Sequence, residues 1–295
     1  MKMKFGEFVK SMIKNWIRKS PQSGATHTYQ RAKWMRYRKF ALFICLSSLI
    51  NCSPSENNLL PLEGRIFFKI SEDYKQYNRE SNPEIFLFME TEKIYGCCNY
   101  GIYTDCDIVG KKIVVNILGI DQPGVCLTAI GPAIARIHLP LSNKSYSLKI
   151  SGDDFTDNYT VVVTDSSISV TGDSTVNTKP EIELFWRYPP NSFVYLYGST
   201  FEDSSLANVF LDTLMQVIDI AEFYFPQNGE IPYPKSSMGH HWDMPARYFY
   251  YNSENDFDLI EEVLRVFKNN YIKDKVGIGI TIKNWRNKQI NSWLL

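Results

Sequence analysis

The residues of this 295-residue chain that could carry chemistry converge first on one stretch, Pro226–Pro245 (PQNGEIPYPKSSMGHHWDMP). There His240, His241 and Asp243 flank Trp242. Two imidazoles and a carboxylate are ligand types that hold zinc, and a bound metal can activate water for hydrolysis. Adjacent histidines in an extended chain point to opposite sides, however. The remaining histidines, His27 and His138, do not complete a set by spacing. The stretch is therefore expected to be a surface loop with a tucked Trp242, and His240, His241 and Asp243 are the metal candidates of an alternative reading. Asp153, Asp154 and Asp157 form a second cluster, which lacks the D-x-D-x-D-G spacing and closing Glu of a calcium loop, so a solvated turn is expected. The chain carries no Gly-rich phosphate loop, no G-x-S-x-G elbow and no H-E-x-x-H pair, and no cofactor is expected.

The elements that would position these groups are mostly strands. Hydrophobic content of 44% and aromatic content of 14% supply a core and exclude wholesale disorder. Short apolar runs rich in β-branched and aromatic residues recur at 65–70, 84–89, 111–118, 135–139, 145–150, 159–164 and 167–170, separated by Asp, Gly, Asn and Pro clusters. Tyr146, Leu148 and Ile150 alternate with Ser147 and Lys149, the period of a half-buried strand. This predicts an all-β sandwich-like domain over 63–172, then a polar linker at 173–180. Over 181–295 strands at 182–188, 193–197, 247–251 and 276–282 alternate with two amphipathic helices. One carries Leu206, Val209, Phe210, Leu214, Val217, Ile218 and Ala221, capped by Asp203 or Ser204. The other carries Phe257, Ile260, Leu264 and Phe267, capped by Asn255 or Asp256. The order β-β-α-β-α-β predicts a small α+β domain.

The formal net charge of zero hides an asymmetry. Eleven of the 32 Lys/Arg lie in residues 1–40 against one acid, Glu7, which leaves 21 basic and 31 acidic side chains beyond, a balance of −10. A body that acidic lacks the footprint of a nucleic-acid binder. The basic residues Arg36, Arg38 and Lys39 precede the apolar run Phe40–Ile50, which is too short to span a bilayer and suits the apolar core of a signal peptide over 35–51. Leu49-Ile50-Asn51-Cys52 then resembles a bacterial lipobox, in the relaxed form found in spirochaetes. The resemblance implies cleavage before Cys52, acylation of its thiol with palmitate-type chains, and anchoring of the mature protein in a lipid bilayer. Residues 52–62, opening Cys-Ser-Pro-Ser-Glu-Asn-Asn, read as the tether. Residues 1–34 read as an upstream extension, with translation starting at Met35.

In an exported chain the even set Cys97, Cys98, Cys106 and Cys126 predicts two disulfides. A vicinal bridge is strained, so Cys97 and Cys98 are each expected to pair outward with Cys106 or Cys126, in an order the sequence leaves open. The reading that results is an exported, lipid-anchored envelope lipoprotein that binds a protein or polysaccharide without catalysis. The alternatives are an envelope hydrolase using the 226–245 loop and a structural component of envelope assembly.

Overall fold

The computed structural model describes residues 59–77, 79–172, 176–237 and 242–295. The extension 1–34, the signal sequence, Cys52, His240 and His241 lie outside the described residues. Residues Asn58–Leu295 form one compact unit. The described chain is mostly β, with two α-helices.

Ten strands build the first sheet: β1 (Ile66–Asp73), β2 (Glu84–Tyr95), β3 (Gly101–Val109), β4 (Lys112–Asp121), β5 (Gly131–His138), β6 (Ser145–Ser151), β7 (Thr156–Val163), β8 (Ser167–Gly172), β9 (Thr178–Pro180) and β10 (Leu184–Trp186). Their order is β10-β8-β7-β6-β4-β3-β5-β2-β1-β9. The alternation read in 145–150 buries Tyr146, Leu148 and Ile150. The same period on the other strands fills a single core with Ile66, Phe68, Leu87, Ile113, Val115 and Val161. The sheet curls until its two edges meet. Residues 181–183 cross from β9 to β10, with the Glu181 N–H donating to Phe68 O and the Val170 N–H donating to Glu183 O. Phe68 of β1 lies edge-on to Tyr159 of β7 at 4.9 Å, and the Tyr159 hydroxyl donates to Thr178 O of β9. Residues 178–180, within the expected linker, are thus a strand of this sheet. Strand β3 has no counterpart among the expected strands.

The pairings sort the connections of this sheet to two ends. At one end lie the β2–β3 turn (96–100), the β4–β5 loop (122–130), the β6–β7 turn (152–155) and the entering chain, where Leu60 bridges Ile120. At the other lie residues 74–83, the β3–β4 turn and the exit from β10 into the second sheet.

That second sheet comprises β11 (Ser192–Ser199), β12 (Ile220–Phe223), β13 (Trp242–Asp243), β14 (Arg247–Tyr251), β15 (Gly279–Asn284) and β16 (Gln289–Asn291), ordered β12-β14-β11-β15-β16 with β13 also on β11. All eight residues of β11 are buried, because both faces of the strand are covered. On one face Tyr195 stacks on Phe210 of α1 (Leu206–Val217), and Phe193 meets Phe257 of α2 (Glu254–Phe267). On the other, Val194 and Leu196 pack against Tyr74, Tyr188 and Tyr233. The caps differ from expectation. Ser205 precedes α1 without a side-chain cap bond, since the Asp203 carboxylate is drawn to Lys275 and the Ser204 hydroxyl to Phe201 O. Ser253, in extended backbone, caps α2 in a reciprocal pair with Asp256. The stripe read through Ala221 ends at Ile218, whose extended backbone leads directly into β12.

The exit from the first sheet is held by a buried carboxylate. Glu72, near the end of β1, accepts from Arg187 Nε at 2.7 Å and from the Tyr188 N–H at 2.8 Å. Its side chain is 2% exposed against 23% for Arg187. Removing one partner of a buried ion pair costs about 3–5 kcal/mol because a charge is left without compensation. Arg187→Met is therefore expected to lower stability in urea unfolding by that order, and Glu72→Met/Arg187→Met to recover most of the loss.

The neighbouring tyrosines set an alkaline limit. Burial pushes the Tyr74 phenol far above its ordinary range and, with the Asp73 and Glu72 carboxylates adding, the Tyr188 phenol up to about 12. An unfolded phenol ionises near pH ~10. The cluster's stabilisation is therefore complete below that pH and is lost as pH rises toward the folded value. Urea midpoints are expected to hold to about pH 10 and fall steeply above it, with tyrosinate absorbance appearing together with loss of near-UV dichroism rather than before it.

Candidate functional site

Residues 226–237 of the stretch 226–245 serve as a cover over the second sheet. Trp186 Nε1 donates to Asn228 O at 2.6 Å, and Glu230 exchanges backbone hydrogen bonds with Leu184 and Trp186. The Tyr188 hydroxyl donates to Pro232 O at 2.8 Å and the Tyr248 hydroxyl to Pro234 O at 3.2 Å. Tyr233 is 3% exposed and reaches Ser192 through its hydroxyl. Apolar rings bury while their hydroxyls satisfy loop carbonyls, which lets an irregular segment lie against a core.

Asp243 sits in β13, paired with Gly198, and its carboxylate accepts from the Ser237 hydroxyl at 2.7 Å. Its histidine companions lie outside the described residues. Among the described residues no group of three His, Cys, Asp or Glu side chains is placed to hold a metal. Trp242 is not tucked. Beside the edge of β11 it keeps 45% of its surface exposed and meets the ring of Phe201, 69% exposed, edge-on at 5.3 Å. Val276 is also exposed, just before β15 at the same end of the sheet. This end lies away from Ser192 and Trp285, where the two sheets join. Trp242 stands out in the sequence as part of the irregular stretch, whereas no local pattern marks Phe201, which sits two residues beyond β11.

The acidic cluster also divides. Asp157 points inward on β7 and accepts from Thr178 Oγ1 at 2.7 Å, while Asp153 and Asp154 line a cleft of about 590 Å³. Arg65 and Glu92 face the same cleft, with Leu62, Leu118 and Phe155 as apolar lining. Arg65 Nε donates to Val176 O, and its N–H contacts Glu92 at 3.3 Å. The cleft lies at the chain-entry end of the first sheet. There Gly119, at φ +142°, lets the entering backbone approach: a Cβ would meet Leu60 O at 2.9 Å.

Beside the cleft, two segments meet that carry no charged side chain, 94–103 and 122–135. Cys97 is bonded to Cys126. Asn99 donates to Val125 O at 2.8 Å and accepts from the Leu127 N–H. The expectation of two bridges is corrected to one, with Cys98 and Cys106 as free thiols. Cys106 lies five residues along β3 from Gly101, about 17 Å of strand, and a disulfide spans Cα atoms at most about 7 Å apart. It packs against the core beside Ile108, whereas Cys98 lies against Gly131 at the strand ends. The tie holds Val125, Leu127 and Ile130 in water, at 77%, 54% and 75% exposure, next to exposed Ile94 and Ile134. The charge gap is readable in the sequence; its assembly into one surface is not.

Among the described residues no helix is long and apolar enough to cross a membrane. No protein-family model, curated protein or solved structure matches the chain.

Non-reducing peptide mass mapping is expected to return Cys97–Cys126 joined and Cys98 and Cys106 alkylated. Burial, with Asp107 and Asp105 adding, pushes the Cys106 thiol up. Its alkylation is thus expected to keep accelerating at pH values where an exposed thiol has levelled off. A Cys98–Cys106 peptide would contradict the assignment.

Proposed function

We propose that this chain is an exported lipoprotein, held at a bilayer through acylated Cys52, that acts as a non-enzymatic binding protein for a protein or polysaccharide of the cell envelope. The observation that supports it most is the polarity of the compact unit. The chain enters at Leu60 beside the uncharged loops, and the helix-bearing sheet, with Phe201 and Trp242 exposed, lies beyond the opposite end of the curled sheet. A tether opening at Cys52 would then hold one end near the lipid and present the other. The curled sheet is read as a β-sandwich-like stalk, supported by the contact of Phe68 with Tyr159 across its core. The binding reading is favoured over hydrolysis because residues 226–237 are occupied in covering Val194 and Leu196.

Mass spectrometry of the native mature protein is expected to find Cys52 as the acylated first residue, and Cys52→Ser to move the protein from the detergent phase to the aqueous phase. An intact, unmodified leader would defeat the anchored reading. In crosslinking from intact envelopes, Trp242→Ala is expected to lose the partner that the parent chain captures. Stoichiometric zinc, removed by His240→Ala and His241→Ala, would instead replace the binding reading with the hydrolase one.

A further inference from the structure

We infer that the loop tied by Cys97–Cys126 is a second membrane contact, an uncharged apolar rim that lies in the lipid interface beside the anchor. Residues 94–103 and 122–135 contain no Asp, Glu, Lys or Arg in a chain that is 22% charged. Together they expose Ile94, Val125, Leu127, Ile130 and Ile134. Water-facing loops in a monomer gain nothing from such a cluster, and contiguous exposed apolar surface marks a site of association.

The occupant follows from where the chain enters. Leu60 exchanges both backbone hydrogen bonds with Ile120, one residue before the end of β4, and the next loop is the rim itself. From Cys52 to Leu59 is seven residues, which extend to at most about 25 Å. An acyl chain on Cys52 therefore keeps this end of the sheet within reach of the bilayer surface. This step rests on the anchored reading; the composition and exposure of the rim do not. At the base of the rim, Tyr95 stacks on Tyr100 at 4.6 Å and is buried in the core, which anchors the start of the 96–100 turn.

Charge identifies the mode of binding. Lys93 is paired with Glu63, and Glu92, Asp121, Asp153 and Asp154 lie around the same end. No basic surplus attracts anionic headgroups, so the contact is made by aliphatic side chains and is indifferent to lipid charge. The disulfide and the Asn99 hydrogen bonds hold the loop open, so the side chains meet lipid without first being ordered.

The test uses residues 53–295, which contain the whole compact unit and its cores but neither the signal segment nor Cys52. With phosphatidylcholine vesicles the protein is expected to float, equally well when phosphatidylglycerol is added or salt is raised. Val125→Ser, Leu127→Ser and Ile130→Ser should each weaken partition on the order of tenfold at unchanged thermal stability, and Trp242→Ala should leave it unchanged.

A second readout covers weak partition. The same protein is tethered by an N-terminal hexahistidine to vesicles containing nickel-chelating lipid. Leu127→Trp is then expected to be quenched by brominated acyl chains, and Val109→Trp, exposed at the other end of β3, is not. Equal quenching at the two positions, binding that requires anionic lipid, or self-association abolished by the serine variants without vesicle binding would each overturn the inference. The anchored reading stands or falls separately, on the mass of the native N-terminus.

Discussion

The fold turns on Glu72. A carboxylate with 2% of its side chain exposed must be compensated, and this one is: one oxygen takes the Arg187 guanidinium, the other the Tyr188 backbone N–H. Arg187 is in turn held by Asn143 and by Thr164 O, from the loops at the same end of the sheet. The chain leaving β10 is thereby fixed to β1 and to the β5–β6 and β7–β8 connections through two consecutive residues, Arg187 and Tyr188. Tyr188 then enters the aromatic layer against Tyr74 and Tyr233, which closes the open face of β11. Breaking that grip would leave a buried charge and also release the face of the second sheet that has no helix to cover it.

A second set of contacts makes the join rigid. The β15–β16 turn, where Asn287 takes a left-handed backbone at φ 68°, donates from its amide to Tyr77 O and Arg79 O. The Tyr74 hydroxyl donates to Trp285 O. Residues 74–83 belong by sequence to the first sheet and by packing to the second. That is why one compact unit contains both sheets although their hydrogen-bond ladders are separate.

Elements whose side chains alternate or recur by their own period were legible in the sequence: β6, β7, β14 and the apolar stripe of α2. What failed did so for local physical reasons. Strand β3 carries Asp105 and Asp107 on its outer face around the half-buried Cys106, so its inward set is too sparse to read as apolar. Strand β12 follows α1 without a turn residue, and Ile218 and Ala221 fall at helical spacing by chance. The loop 226–237 shows no period because it is held by single contacts: Tyr233 reaches Ser192, and the Tyr188 and Tyr248 hydroxyls donate to the loop's carbonyls. The candidate site was half legible. The lack of charge in 94–103 and 122–135 is plain in the sequence, and so are their cysteines, two in the first and one in the second; that they form one rim depends on the β2–β5 and β3–β4 pairings, which no local pattern encodes.

The rim is informative because the fold does not require it. Val125, Leu127 and Ile130 fill no cavity, pair with no strand and face water, so lysine or glutamate there would leave the core of the curled sheet untouched. Buried apolar residues are explained by folding; exposed ones held open by a covalent tie are not. Left to itself, an uncharged aliphatic loop lowers its free energy by collapsing onto the nearest apolar surface. Here the Cys97–Cys126 bond and the Asn99 amide keep it from doing so. The exposed state is therefore imposed by the structure, and none of the described residues covers it. In the proposed membrane contact, a lipid surface beside the point where the chain enters would supply that cover without a specific partner, and without the basic charge that the acidic body lacks.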